Sequence, residues 1–189
     1  MQTEPQLDHT APSGSFDRMH FIRLGLFAAL AYLAALTVLY LIDRKLVLNP
    51  GLDLLLANVF YIAVIVKAVS DFKVQNNFEM TLGEGLKAGF VSGLFVALAY
   101  HVFMYVLFNF IDPSMIEVQL EVIRDTINSV GGLFGAEEMP DDVMDDMENT
   151  LDEIGVSGYP ISAAVVGLSQ SLIWVLIVSL IVSAIKKNR

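Results

Sequence analysis

The chain alternates long uncharged apolar runs with short polar stops. The first run is Phe21 to Ile42, ended by Asp43-Arg44-Lys45 and then Asn49-Pro50. The second is Leu52 to Ser70, the third Gly83 to Phe110 and the fourth Ile161 to Ile185, which stops at Lys186-Lys187-Asn188-Arg189. No charge falls between Lys87 and Asp112 in the third run. About 20 apolar residues in a helix cross a bilayer core, so each run predicts a transmembrane helix. Small residues recur within them. Gly85, Gly89, Gly93 and Ala97 stand four apart, and Ala163, Gly167 and Ser171, then Ser179 and Ser183, make a second row. Residues four apart share a helix face, and small ones let helices approach closely in lipid. The partner is either another helix of the same chain or a second copy. Further along the same face of the third helix come His101, Tyr105 and Asn109, so bare backbone gives way to polar groups.

The stretches between the runs predict the rest. Met1 to Asp17 is polar and carries Pro5, Pro12 and Ser13-Gly14-Ser15, the composition of a disordered tail. The first run is too long for a cleaved signal peptide and is expected to be a signal anchor. Asp71 to Glu79 reads as a polar turn, and Thr81 with Glu84 fits a capping box opening the third helix. Asp112-Pro113 pairs a good N-cap with a residue tolerated at the first helical position. Ile116, Leu120, Ile123, Ile127 and Val130 then follow at amphipathic helical spacing until Gly131-Gly132. A second amphipathic helix opens at Pro140, with Val143, Met144, Met147, Leu151 and Ile154 on one side, and ends at Gly155, Gly158 and Pro160. The expected organisation is a tail over 1–20, transmembrane helices over 21–111, an extramembrane helical hairpin over 112–158, and the last transmembrane helix with its basic end over 159–189. The fold class is all-α, a four-helix transmembrane bundle with an acidic hairpin between its third and fourth helices.

Composition agrees with that class. Charged residues make up 17% of the 189 positions and hydrophobic ones 55%, whereas soluble domains carry about 25% charged residues. With no cysteine the chain forms no disulfide and offers no thiolate metal site. The net charge of −10 is uneven: residues 109–160 hold thirteen acids and one base, Arg124. Four spans place both termini on one side. That side carries eight of the Lys and Arg residues (Arg18, Arg23, Lys67, Lys73, Lys87, Lys186, Lys187 and Arg189), against Arg44, Lys45 and Arg124 on the other. Basic residues mark the cytoplasm, so both termini are expected inside and the acidic hairpin outside.

Several of these features occur together in one known family. Gly85-Leu86-Lys87-Ala88-Gly89 opens a long apolar helix, Phe110-Ile111-Asp112-Pro113 leads into an acidic amphipathic pair, and Ser179-Leu180-Ile181-Val182 precedes a lysine pair. The chain thereby resembles the uncharacterised bacterial membrane family known as domain of unknown function 4199. The likeness runs from about Phe21 to the C-terminus and implies four transmembrane helices in a prokaryotic inner membrane. It implies no activity, substrate or catalytic residue.

Candidate chemistry is sparse. At 1.5 Å per residue, Asn58, His101 and Gln170 fall roughly 9, 10 and 13 Å below the outer ends of their helices, with Thr37 at a similar level. Polar groups at such depth face the bundle interior, which predicts a polar layer with His101 and Gln170 as partners. Its two roles are a hydrogen-bond network that holds helix register and a proton or ligand site, since histidine titrates near neutrality. The acids around Asp141 and Asp146 lack the spacing of a calcium loop and read as a solvated face. No phosphate loop, His-Glu-x-x-His or nucleophile elbow is present. No carboxylate lies in mid-span, since Asp53, Glu79 and Glu84 are near helix ends. The expectation is a non-enzymatic protein of the inner membrane with no cofactor and no bound metal. Its partners would be the bilayer and a membrane or periplasmic protein met by the outer helices, with homo-oligomerisation open and no nucleic acid. The alternative is a small oligomeric transporter or channel that uses Asn58, His101 and Gln170.

Overall fold

The computed structural model describes residues 17–134, Asp146, Asn149 and 159–187. Among these residues the regular elements are all helical, with no strand. They are α1 (Arg18–Ile42), α2 (Arg44–Leu48), α3 (Pro50–Gln75), α4 (Leu82–Val106), α5 (Met115–Phe134) and α6 (Ile161–Lys187). A π-helical turn over Leu107–Ile111 prolongs α4. The four long apolar stretches are each long enough to cross a membrane: α1, α3, α4 with its π turn, and α6. The tail before Asp17 and the second helix expected from Pro140 lie outside the described residues, as do the side chains of Leu120, Arg124 and residues 127–134.

Local chemistry accounts for most helix ends. The Asp17 side chain accepts from the Met19 and His20 amides to open α1. Asn49 accepts from Leu52 N, with Pro50 at the first helical position of α3. Thr81 and Glu84 form both halves of the capping box of α4. Three boundaries differ from those expected. Asp43 does not simply stop α1: its carboxylate accepts from Lys45 N and nucleates the short helix α2. Residues Asp71 to Gln75 stay helical because Asp71 pairs with Lys67 one turn back and with His20 of α1. The turn is instead made at Asn77 and Phe78, whose φ values of 53° and 69° reverse the chain. Finally, α5 begins at Met115 rather than Pro113 and runs through Gly131-Gly132 to Phe134. Glycine lowers helix propensity by about 1 kcal/mol, which two residues near a helix end can absorb.

The burial pattern is that of a protein dissolved in lipid. Tyr32, Ile65, Val96 and Val175 are fully buried, while Phe27 and Leu41 are 72% and 74% exposed on the outer faces. Apolar side chains both inside and outside leave the long helices without a polar face, the signature of a membrane span.

Small residues determine how the long helices meet. α4 lies centrally and packs on α1, α3 and α6, whereas α1 and α6 do not touch. Along α4, a Cβ added at Gly85 would meet Ser183 Oγ at 2.8 Å, at Gly89 Ser179 Oγ at 3.0 Å, and at Gly93 Val175 Cγ1 at 2.6 Å. Each step of four up α4 therefore matches a step of four down α6, in an antiparallel zipper. On the other side of α4, a Cβ at Gly25 of α1 would lie 2.7 Å from the Ser92 carbonyl oxygen. Ser92 itself donates to the Phe21 carbonyl oxygen at 3.1 Å.

At one end α5 docks on α2. Met115 and Ile116 are buried, as is Val47 of α2. Asp112 anchors the junction, receiving the Tyr40 hydroxyl at 2.9 Å, the Ser114 hydroxyl at 2.6 Å and Arg44 Nε at 3.2 Å. Lys45 Nζ bonds Glu121 at 2.6 Å and lies 3.8 Å from Asp125. The Ser114 hydroxyl, with Tyr40 and Arg44 behind it, holds the Asp112 carboxyl below the ordinary carboxylate range. A carboxyl lowered in the folded state stabilises above its unfolded value of about 3.9 and loses that contribution as pH falls further.

Two outcomes follow from this packing. Gly25→Ala places a methyl against backbone and is expected to lower stability by about 1–3 kcal/mol. Gly83→Ala, with open space around it, should be neutral or slightly stabilising; thermal unfolding in detergent compares the two. The α5 anchor should hold from pH 5 to 8 and loosen only below about pH 4, read as amide hydrogen exchange in residues 115–126.

Candidate functional site

The gradient along α4 makes the site. Its first half is glycine and zips tightly to α6; its second half carries Tyr100, His101, Met104 and, in the π turn, Phe108. These side chains border a space that α5 covers. The result is a recess of about 400 Å³ lined by Asp53, Tyr100, His101, Met104, Phe108 and Tyr159, with Val122 and Thr126 of α5 over it. A second depression of about 370 Å³ shares Pro50, Val122 and Thr126 with it and reaches Lys45 and Asp125 at the surface.

Among the described residues Asp53 is the one formal charge in the recess wall. It stands in the first turn of α3, where the helix dipole favours an acid. Tyr32 of α1 donates its hydroxyl to Oδ1 at 3.4 Å, and Tyr100 of α4 donates to Oδ2 at 3.1 Å. The two phenol rings stack with centroids 6.1 Å apart, and Phe60 packs against Tyr32 at 5.0 Å. One carboxylate thus ties three helices together. Among the described residues it has no salt-bridge partner: Arg44 and Lys45 are engaged by Asp112 and by the acids of α5. Tyr159, between the acidic segment and α6, packs at a tilt against Phe108, with ring centroids 5.1 Å apart. Its carbonyl oxygen accepts from Asn109 Nδ2 at 3.2 Å. Burial pushes the Tyr159 phenol up, so it remains a neutral donor.

The structure divides the polar residues expected to form one layer. His101 Nε2 meets Ser171 Oγ at 2.9 Å, and its ring sits where Gly167 leaves room, 2.7 Å from a Cβ built there. Gln170 is not its partner. It is exposed on the outer face of α6, since one residue along a helix turns the side chain by about 100°. Asn58 accepts from Trp174 Nε1 at 2.8 Å and donates to the Leu54 carbonyl, a bridge from α3 to α6 at the outer surface. Thr37 is exposed on α1 and bonds back to the Leu33 carbonyl. Position along each run was legible from the sequence, but the direction each side chain faces was not. Among the small residues, Gly85, Gly89, Gly93 and Gly167 lie at contacts of α4 with α6, and Ala97 is fully buried on α4. Ala163 is half-buried on α6. Asp112 serves as an anchor for Tyr40 and Arg44 more than as a cap at Pro113.

Asp53 was not singled out from the sequence, and neither were Tyr32, Tyr100 and Trp174. An acid one turn inside an apolar run is the only signal that Asp53 carries. Its tyrosine partners are remote in the chain, separated from it by 21 and 47 positions. Among the described residues no three His, Cys, Asp or Glu side chains cluster as a metal site. Tyr100→Phe removes a donor to a partly buried carboxylate and should cost about 1.5–3 kcal/mol. Tyr32→Phe, losing the longer bond, should cost less; unfolding in detergent measures both.

Comparison with known proteins places the chain among relatives without assigning an activity. No curated protein and no solved structure matches it. A family model described as "Protein of unknown function (DUF4199)" matches residues 23–188. With nearly the whole chain covered, the protein belongs to the DUF4199 family.

Proposed function

We propose that this multi-pass membrane protein is a non-enzymatic binding component of the bacterial inner membrane. Its helix bundle is the scaffold, and the end carrying α5 is the recognition end. The observation behind this reading is the recess that reaches Asp53 and His101 beneath α5. Concave sites of about 300–1,000 Å³ with a few converging polar groups are the usual form of small-molecule sites. Both termini are cytoplasmic and the recess faces the periplasm, on the weight of eight Lys and Arg residues against three. The acidic stretch 112–158 is the part offered to a periplasmic or membrane partner, and its first helix, α5, stands at the same end with Glu117, Glu121 and Asp125 exposed.

Transport is the less supported reading. Asn58 and Gln170 do not share a space with His101, and below His101 the seam between α4 and α6 is closed by Gly93 on Val175 and Gly89 on Ser179. Binding from one side fits this geometry better than passage.

The chain contains no cysteine, so single thiols report access directly. Met104→Cys, in the recess wall, should react with a membrane-impermeant maleimide added to spheroplasts and not to inverted vesicles. Lys187→Cys should show the opposite sidedness, and Val102→Cys, on the lipid face, should stay unlabelled. An unreactive Met104→Cys would leave only a closed structural bundle.

A further inference from the structure

We propose that the recess binds an organic ammonium ion, with the Asp53 carboxylate as counter-charge and Tyr100, Phe108 and Tyr159 as an aromatic wall. This rests on the reading of the recess as a binding site and adds the chemical class of its ligand.

Charge is the first argument. Among the described side chains that line the recess, Asp53 alone is formally charged when His101 is neutral. Its two oxygens take hydrogen bonds from phenols, which are neutral donors and leave the negative charge uncancelled. Of the described cations at this end, Arg44 is committed to Asp112 and Lys45 to Glu121 and Asp125. A carboxylate withdrawn from water without a counter-ion is costly, and a bound cation removes that cost. The position of Asp53 at the start of α3 explains why an acid is tolerated there. It does not explain why open space remains beside it.

The wall decides which cation. A bare metal ion wants six or more oxygen ligands in the case of calcium, or near-octahedral oxygens for magnesium. The recess offers one carboxylate among Val47, Met104, Val122 and Ile123. Aromatic faces instead attract ammonium groups through the ring quadrupole, at about 0.5–2 kcal/mol each. Tyr100, Phe108 and Tyr159 all line the space that Asp53 borders. A volume of about 400 Å³ accommodates the apolar body of such an ion as well as its head. The sequence acts in the same direction: residues 109–160 hold thirteen acids and one base, an excess of negative charge that favours cations over anions.

Equilibrium dialysis of the full-length protein in nanodiscs of uncharged lipid tests the assignment, with benzyltrimethylammonium as probe. Benzyl alcohol is the neutral comparator and benzenesulfonate the anionic one, each corrected for empty discs. The expected result is saturable binding of the ammonium alone, weakened at least about tenfold by Asp53→Asn, the equivalent of about 1.4 kcal/mol. Asp53 also holds helices together, so Tyr159, outside the membrane spans, supplies an independent arm. Tyr159→Phe should bind within about threefold of the unmodified chain, and Tyr159→Leu about tenfold more weakly. Equal binding of benzyl alcohol, or indifference to both Asp53→Asn and Tyr159→Leu, overturns the ammonium assignment. Absence of ammonium binding overturns it too; if Met104→Cys still labels, the open recess stands without this ligand. An unlabelled Met104→Cys overturns both.

Discussion

Helices that already share lipid gain little from hiding apolar surface, so contact itself has to hold them together. Close packing through small residues supplies that contact. In this protein the contact is concentrated on α4. Its glycines bring Ser183, Ser179 and Val175 of α6 against its backbone, while Gly25 of α1 meets Ser92 on the other side. With α1 and α6 kept apart, α4 and α3 form the shared wall of the bundle.

The other half of α4 meets its neighbours through larger side chains. His101 fits against Gly167, so the step of four continues with the small residue now on α6, while Tyr100, Met104 and Phe108 border the recess. Polar chemistry gathers at this end. Asp53 receives two phenols from two different helices, His101 finds Ser171 across the gap, and Asp112 binds Tyr40 and Arg44 just beyond the π turn. Each is satisfied by residues that the bundle brings near, and α5 lies over the recess with Val122 and Thr126. The glycine half of α4 is thus closely packed, and the half with larger side chains borders a roofed recess.

Deep polar residues show how lipid resolves its penalties locally. Thr37 bonds to its own helix, and Asn58 bonds both to its own helix and to Trp174. Neither has to reach the bundle interior, because a carbonyl one turn away or an indole at the helix surface is enough. Polar groups at one depth therefore do not imply one polar layer. Asp53 illustrates the converse: an acid near a helix end, which solvent or headgroups could have satisfied, is instead drawn inward by tyrosines from two neighbours.

By itself the sequence determined the class of object: four apolar runs, each of about the 20 residues that cross a bilayer core as a helix, and the Thr81 to Glu84 cap and the small-residue rows are local consequences of helical period. It also determined the charge imbalance, which depends on composition alone. Only tertiary structure decided which faces meet. The azimuth of Gln170 against Ser171, the pairing of Asp53 with residues 21 and 47 positions away, and the use of Arg44 and Lys45 as anchors for α5 rather than as a simple stop depend on helix rotation and proximity. In an apolar helix without a polar face, no periodic signal records that rotation; it is set by how neighbouring surfaces fit, and that information is distributed over the whole bundle.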